Sequence, residues 1–235
     1  TRSLIVTGVQ TCALPICLLI DFPYDVVEQT ESSITLGALI HARTAYPFNV
    51  FTTVKYELSA TGIKVTHTAE NLSEEAAPYA VGGHPYFQIA GVQTADLILR
   101  SDAATVLDVN ERQIPVGKSA TAGTRFDMRE GVRVGDNFYD HGFTDLPRDE
   151  NGLAHTYLTA PDGRGFDVWQ DAEFKHVVIF TPDFYWDESR DAKRFAAAIE
   201  PQTAGANAFK TGEDLKWLNK GEKYSASWGV NLFTK

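Results

Sequence analysis

The stretch VKYELSATGIKVTHTA, residues 54–69, decides the fold class of this chain. Apolar and polar side chains alternate over residues 54–58, and a second alternation follows over residues 63–69. A repeat of two is the spacing of a strand with one buried face and one solvated face. Ala60-Thr61-Gly62 separates the two runs and supplies a turn. The stretch therefore predicts an antiparallel hairpin in which each strand is half buried.

Strand-like segments continue on both sides of this hairpin. Residues 28–40 are rich in Thr, Ser and Ile and end in an apolar alternation. Later candidates, each bounded by Gly, Pro, Asp or Asn, are residues 97–99, 154–159, 166–169, 176–181 and 224–232. Only residues 189–198, SRDAKRFAAA, have a helical composition, and this helix is expected to end before Glu200-Pro201. Because no strand–helix–strand alternation appears, we predict one all-β domain rather than a parallel α/β sheet.

Composition and charge narrow the classes of function. Of 235 residues, 43% are hydrophobic and 22% are charged, which is typical of a globular chain rather than a disordered one. The formal net charge of −10 argues against binding to nucleic-acid phosphates or to an anionic membrane surface. No apolar run reaches the roughly 18 residues of a transmembrane helix. We therefore expect no nucleic-acid and no membrane partner, and no sequence feature indicates an oligomeric state.

Residues 1–16, TRSLIVTGVQTCALPI, are interpreted as foreign to the protein. The run VTGVQTCALPI resembles the translation of a common sequencing adapter, and the segment lacks the basic region and cleavage site of a signal peptide. We expect the protein's own sequence to begin near Cys17 and to form one domain over residues 17–235. Cys12 then lies in the foreign run, so Cys17 has no partner for a disulfide or a metal site. The lack of a leader and of paired cysteines favours a cytoplasmic location.

The first candidate for chemistry is His84, in the segment GGHPYF at residues 82–87. The two glycines permit a close backbone approach, and Pro85 favours an extended conformation at His84. An imidazole with a pKa near about 6.5, beside aromatic side chains such as Tyr86, suits proton transfer at neutral pH. The alternative is a structural histidine that is hydrogen-bonded in a turn, and these residues alone leave both interpretations open.

The second candidate is Glu200, in the segment IEPQTAGANAF at residues 199–209. It follows an apolar run and precedes a proline, so its carboxyl group is expected to be partly buried and held in place. Burial raises the pKa of a carboxyl group, as a general base near neutral pH requires. The alternative is a solvated glutamate at the end of a strand.

A third segment, VGDNFYDHGFTDL at residues 134–146, carries Asp140, His141 and Phe143. Asp140 and His141 are possible metal ligands, but no further His or Cys lies at ligand spacing, so a metal site is disfavoured. The preferred interpretation has Asp140 accepting hydrogen bonds from ligand hydroxyls while Phe143 offers an apolar face to a sugar ring. The alternative is a charged loop. No G-x-S-x-G or H-E-x-x-H motif supports a serine hydrolase or a zinc protease.

Together, and with GEKYSASWGV at residues 221–230, these segments resemble the aldose 1-epimerase (galactose mutarotase) family. The match follows the family's order and spans about residues 24–232. The resemblance implies a large antiparallel β-sandwich with a sugar site in an open cleft on one concave face. It also implies an isomerase that interconverts the α and β anomers of a free aldose through the open-chain aldehyde.

The resemblance assigns a role to each candidate residue. Glu200 would take the proton from the anomeric hydroxyl, and His84 would protonate the ring oxygen as the ring opens. Asp140 would bind sugar hydroxyls, with Tyr86 and Phe143 as further substrate contacts. No metal or organic cofactor is expected, because both proton transfers lie within reach of side chains.

The chain departs from the family at its amino-terminal end. Family members usually begin with a further segment that carries an arginine near the sugar and another histidine. The adapter-like run stands there instead, so the sandwich is expected to lack amino-terminal strands and to catalyse mutarotation more slowly than a full-length relative. His41 and Arg43 lie after that point and are not assigned these roles.

Three other functions compete with this interpretation. A hexose-6-phosphate epimerase of the same family needs an arginine cluster, which the matched segments lack. A noncatalytic carbohydrate-binding sandwich would keep Asp140 and the aromatic residues but would be indifferent to Glu200→Gln. A glycoside hydrolase needs two carboxyl groups, and Glu200 has no partner glutamate in a comparable setting.

Overall fold

The structure is a computed structural model that describes residues 18–19, 22–187 and 191–234. The run interpreted as foreign, residues 1–16, lies outside the described residues. Strands dominate the described part, together with one short helix, α1 (Ala208–Thr211). In chain order the strands are β1 (Asp25–Gln29), β2 (Ser33–Ile40), β3 (Val50–Leu58), β4 (Gly62–Asn71), β5 (Ala77–Tyr79), β6 (Ile98–Ser101), β7 (Thr105–Val109), β8 (Pro115–Ala120), β9 (Val132–Arg133), β10 (Asp140–Thr144), β11 (Ala154–Thr159), β12 (Arg164–Gln170), β13 (His176–Phe180), β14 (Tyr185–Asp187), β15 (Ala192–Arg194), β16 (Ala198–Gln202), β17 (Lys216–Leu218) and β18 (Lys223–Thr234).

The larger sheet contains the hairpin that the sequence predicts. Its nine strands follow the order β1-β2-β3-β4-β18-β12-β11-β6-β9, and neighbouring strands are antiparallel. Within the hairpin Leu58 pairs with Ile63 and Val54 pairs with His67. Val54 and Val65 are buried, whereas Leu58 at the tip is exposed, so the strands extend beyond the core. The other predicted strands after the hairpin appear as β6, β11, β12, β13 and β18.

The smaller sheet completes the sandwich. Its five antiparallel strands follow the order β16-β13-β10-β7-β8. One face of this sheet is fully buried and presents Val106, Phe143, Val177, Ile179 and Ile199. These side chains belong to one apolar cluster that also includes buried residues of the larger sheet. Two antiparallel sheets that share one core confirm the predicted all-β sandwich.

The other face of the smaller sheet carries polar groups. Side chains alternate between the two faces of a strand, so the residues between the core positions point away from the core. Val178 pairs with Gly142 on one side and with Glu200 on the other, which places these three residues in one row. Asp140 lies two residues from Gly142 on β10 and therefore shares that face.

The predicted helix over residues 189–198 is wrong where the structure describes it. Residues 192–194 form β15, which pairs with β14, and Ala198 begins β16. Alanine, lysine and arginine favour a helix, but propensity is a weak signal that tertiary context overrides. Here strand pairing supplies the main-chain hydrogen bonds instead.

Within the part of the chain that the structure describes, no helix has the length and hydrophobicity of a membrane span.

Phe143 provides a test of the core. Its side chain is 0% exposed, so we expect Phe143→Ala to lower the free energy of unfolding by about 3–5 kcal/mol. Leu58→Ala is the control, because Leu58 is 62% exposed and its truncation should change stability by less than about 0.5 kcal/mol. Equilibrium unfolding in urea measures both values. Equal, small effects would contradict the core position of Phe143.

Candidate active site

Strand pairing brings the two proton-transfer candidates together. Isolated antiparallel bridges join both ends of the segment 82–86 to β16. Main-chain hydrogen bonds support this pairing, among them one of 3.0 Å from the Gly83 amide to the Pro201 carbonyl. The residues midway between the bridges, His84 and Glu200, are therefore direct cross-strand neighbours although 116 positions separate them in the sequence.

Gly83 allows this segment to lie close to the larger sheet. A Cβ atom built on Gly83 would approach the indole ring of Trp228 to 2.7 Å, which is closer than van der Waals contact. Trp228 belongs to β18 and donates a hydrogen bond from its indole nitrogen to His67 Nε2. A larger residue at position 83 would therefore push the segment away from the sheet.

His84 and Glu200 are in direct contact. His84 Nε2 lies 3.1 Å from Glu200 Oε1. The carboxyl side chain is only 7% exposed, whereas the imidazole is 26% exposed and lies nearer to solvent. A carboxyl group and an imidazole within hydrogen-bond distance can accept one proton and donate another in the same event. The arrangement is therefore a candidate acid–base pair.

Aromatic side chains fix the plane of the imidazole. The Tyr86 ring stacks on His84 with a centroid distance of 5.0 Å and an interplanar angle of 27°. Phe180 contacts the same imidazole edge-on at 6.4 Å. The hydroxyl groups of Tyr86 and Tyr185 are 2.7 Å apart, so Tyr86 is itself held by β14. These contacts limit the rotation of His84 and keep Nε2 directed at Glu200.

Burial and charge set the protonation of the pair. Burial, reinforced by the negative charge of Asp140, raises the pKa of Glu200 to about 8, and a hydrogen bond with Gln202 opposes this shift. Burial also lowers the pKa of His84, because the charged imidazolium loses its hydration. Both shifts favour neutral forms. At neutral pH the free protein therefore keeps one titratable proton on the pair, and this proton is bound mainly to Glu200.

An open cleft runs along the same face of the smaller sheet. It contains about 520 Å³ of empty space, part of which is open solvent. Leu107 and Val178 supply apolar lining. Its polar lining comes from Gln113, Asp140, His141, His176, Glu200 and Gln202. This combination of an apolar surface and convergent polar groups suits a polar small molecule such as a sugar.

Asp140 occupies the cleft as the sequence predicts for a ligand-binding carboxyl group. Gln113 Nε2 donates a hydrogen bond to Asp140 Oδ2 at 3.3 Å. Burial raises the pKa of Asp140, and the bond from Gln113 opposes that shift. Asp140 can therefore accept hydrogen bonds from hydroxyl groups in the cleft. Its substrate contact itself stays a prediction.

Phe143 does not reach the cleft, which corrects its predicted role as a sugar contact. It is fully buried and packs against Phe126 and Tyr139, with ring centroids at 6.0 and 6.4 Å. The cause is the alternation of β10, because residues three apart on a strand point to opposite faces. Asp140 faces the cleft, so Phe143 faces the core.

His141 does not form a metal site with Asp140 in the described structure. Its Nδ1 accepts a hydrogen bond from the Asp140 amide at 3.1 Å, and its ring lies 4.8 Å from that of Phe126. Burial and the positive charge of Arg125 lower the pKa of His141 to about 4. Within the described residues no group of three or more His, Cys, Asp or Glu side chains is arranged to hold a metal ion.

Three residues of the cleft were missed by the sequence analysis. Gln202 lies two positions after Glu200 on β16, so strand periodicity alone would have placed it on the same face. His176 on β13 pairs with Gln202 on β16, and its Nε2 donates a hydrogen bond of 2.8 Å to Asp214 Oδ2. Gln113 comes from the turn between β7 and β8. No local signal predicts the positions of His176 and Gln113, because both depend on strand order.

The fold and the site define a β-sandwich protein with a candidate acid–base pair beside an open cleft. A comparison with protein-family models matches residues 19–230 to the family described as Aldose 1-epimerase. The chain therefore belongs to the aldose 1-epimerase family.

A curated relative is similar to this chain in sequence, and solved structures share its fold. The chain is 26% identical over 208 residues to the uncharacterized protein YihR of Escherichia coli strain K12, and the match covers 88% of this chain and 64% of YihR. The chain thus spans less than two thirds of that curated relative. A GalM/aldose epimerase homologue from C. elegans superimposes with a TM-score of 0.77 at 15% identity, over 90% of this chain and 68% of the homologue. The galactose 1-epimerase from Lactobacillus acidophilus NCFM superimposes with a TM-score of 0.71 at 21% identity. The superposition covers 90% of this chain and 66% of that protein.

The raised pKa of Glu200 predicts how stability depends on pH. Between its ordinary value of 4.5 and about 8, the folded protein keeps a proton that the unfolded chain releases. The contribution of Glu200 to the free energy of unfolding should therefore fall as pH rises through this window. We expect Glu200→Gln to make that fall smaller between pH 6.5 and 8.5, as measured by urea unfolding.

The exposed Glu150 provides the matched control for this prediction. Glu150→Gln makes the same substitution at an exposed position, away from the His84–Glu200 contact, so it should leave the wild-type dependence of stability on pH in place. If Glu200→Gln and the wild type lost stability in parallel with rising pH, Glu200 would titrate as a solvated carboxyl group.

Proposed function

We propose that this protein is an aldose 1-epimerase that interconverts the α and β anomers of free hexoses. The observation that carries the proposal is the 3.1 Å contact between His84 Nε2 and Glu200 Oε1, beside a cleft that also contains Asp140. Membership of the aldose 1-epimerase family supports an enzyme that acts on carbohydrates. The choice of free hexoses and the roles of the individual residues are part of the proposal.

The chemistry needs an acid and a base side by side. The anomeric hydroxyl and the ring oxygen of a hexose are attached to the same carbon. Ring opening removes a proton from the hydroxyl and adds one to the ring oxygen, which breaks the bond from the ring oxygen to the anomeric carbon and leaves an aldehyde. Glu200 takes the first proton and His84 supplies the second. Rotation about the neighbouring carbon–carbon bond and reclosure, with the roles reversed, give the other anomer.

The contact between the two side chains fits this reaction. In the free protein each group is the hydrogen-bond partner of the other. A sugar that enters beside them offers its hydroxyl to Glu200 and its ring oxygen to His84, so each side chain exchanges one hydrogen bond for another. The pair needs one proton for the cycle, because one member must donate while the other accepts.

The rest of the cleft suits a neutral sugar. Asp140 can accept hydrogen bonds from ring hydroxyls, and the half-exposed Tyr86 ring forms a wall beside the imidazole. Two carboxyl groups, those of Asp140 and Glu200, lie in or beside the binding space. A sugar phosphate would bring a second negative charge toward them, which disfavours the hexose-6-phosphate alternative.

Substitution of either proton-transfer residue tests the proposal. We expect Glu200→Gln and His84→Asn each to lower the rate of mutarotation by at least about 10²-fold, since each change removes a positioned proton-transfer group. Polarimetry of freshly dissolved α-glucose and α-galactose measures the rate, with Glu150→Gln as the control. Sugar binding with equal, uncatalysed rates in all the proteins would instead favour a noncatalytic carbohydrate-binding sandwich.

The pH dependence provides a separate test of the one-proton requirement. We expect kcat/KM to follow a bell-shaped profile, because the pair is inactive when it holds two protons or none. The negative charge of Asp140 raises the pKa of Glu200, so Asp140→Asn should move the alkaline limb to lower pH. The position of the limb, rather than the height of the profile, is the readout. A limb that stays in place would contradict electrostatic coupling between Asp140 and Glu200.

A further inference from the structure

The turn between β7 and β8 holds a residue in an unusual backbone conformation. Gln113 has a φ of 58°, in the left-handed region that glycine and asparagine adopt most readily. Main-chain hydrogen bonds fix this turn, since the Gln113 amide donates to the Asn110 carbonyl at 2.9 Å and the Asn110 amide donates to the Ile114 carbonyl at 3.0 Å. Glutamine at such a position is less favourable than glycine by about 1 kcal/mol. Backbone strain of this kind is often found where a side chain is needed at a functional site.

The side chain of Gln113 extends into the cleft. Its Nε2 atom donates a hydrogen bond to Asp140 Oδ2 at 3.3 Å. This orientation of the amide is the one that Asp140 requires, because an ionised carboxylate only accepts hydrogen bonds. The bond connects a turn of β7 and β8 to β10 and acts on one of the two Asp140 oxygens, which leaves the other oxygen for further contacts.

The other end of the amide has no partner in the described structure. Gln113 Oε1 is buried and makes no hydrogen bond. A buried carbonyl without a donor is uncommon, because its lost hydration is not replaced. In a residue that lines a cleft, a ligand hydroxyl can supply the missing donor. The unpaired oxygen therefore indicates that the amide interacts with more than Asp140.

We propose that Gln113 is a positioning residue for substrate binding, whose amide orients Asp140 through Nε2 and accepts a hydrogen bond from a substrate hydroxyl through Oε1. This inference rests on the proposed function, because it concerns the same cleft and the same sugar. Glycine would adopt the backbone conformation of this turn more easily than glutamine. Glycine would, however, lack the side-chain amide. The side-chain hydrogen bond of Gln113 goes to Asp140 and not to the His84–Glu200 pair, so its effect should fall on binding rather than on proton transfer.

Gln113→Gly distinguishes a role of this residue in substrate binding from a purely structural role. The substitution relieves the left-handed backbone and removes the amide, so a purely structural residue would become more stable without loss of activity. We expect an unchanged or higher Tm, a KM for galactose or glucose raised about tenfold, and a kcat within about twofold of the wild type. Tenfold is the loss expected for about one hydrogen bond between neutral groups. Ala45→Gly is the control, because Ala45 has a φ of 77° and does not line the cleft.

A second readout does not depend on catalysis. The bond from Gln113 lowers the pKa of Asp140, so the pKa of Asp140 should be higher in Gln113→Gly than in the wild type or Ala45→Gly. Carbon-13 NMR of the side-chain carboxyl group measures it. If the pKa of Asp140 and the KM in Gln113→Gly equalled those of Ala45→Gly while the wild type remained active, the inference would be overturned and the proposed function would stand. If the wild type showed no mutarotation, the proposed function would be overturned. The pKa of Asp140 would still show whether Gln113 donates a hydrogen bond to it.

Discussion

The antiparallel pairing of segment 82–86 with β16 is the constraint on which the candidate site depends. It makes His84, which lies between the two bridges in a segment outside the named strands, a direct neighbour of Glu200 on β16. A shift of register by one residue would turn one of the two side chains to the opposite face of the sheet. The contact between them therefore depends on main-chain hydrogen bonds, such as that of Gly83 with Pro201, as much as on the side chains themselves.

The same geometry determines the electrostatics of the pair. Glu200 lies on the well-packed side, where burial and Asp140 both favour its protonated form, while His84 is more exposed and loses charge through partial burial. One proton shared by two such groups can sit on either, and the two arrangements have the same total charge. A pH profile reports only that total, so acid and base roles can exchange between the forward and reverse reactions without a change in pH optimum.

The sequence predicts the parts of this site that have local signals. Alternation over residues 54–69 predicts the hairpin. The proline-flanked segments make His84 and Glu200 candidates, and only the resemblance to the family implies their acid and base roles. The aromatic type of Phe143 suggests a sugar contact, but strand alternation puts residues 140 and 143 on opposite faces of the sheet. Phe143 therefore lies in the core. Composition suggested a helix at residues 189–198, where strand pairing prevails. Gln113 and His176 could not be predicted, because they join the cleft only through the order of strands in the smaller sheet.

Strand alternation also links the site to the stability of the core. On β16, β13 and β10 the residues next to the cleft positions are Ile199, Val177 and Phe143, which are fully buried. The cleft side chains therefore stand on strands whose opposite faces are fixed by close packing, where a change of even one methylene group is resisted. Such a sheet holds the Glu200 carboxyl group in place, and the bridged segment 82–86 holds the His84 imidazole beside it. The buried face thus provides the preorganisation that the proposed acid–base chemistry on the other face requires.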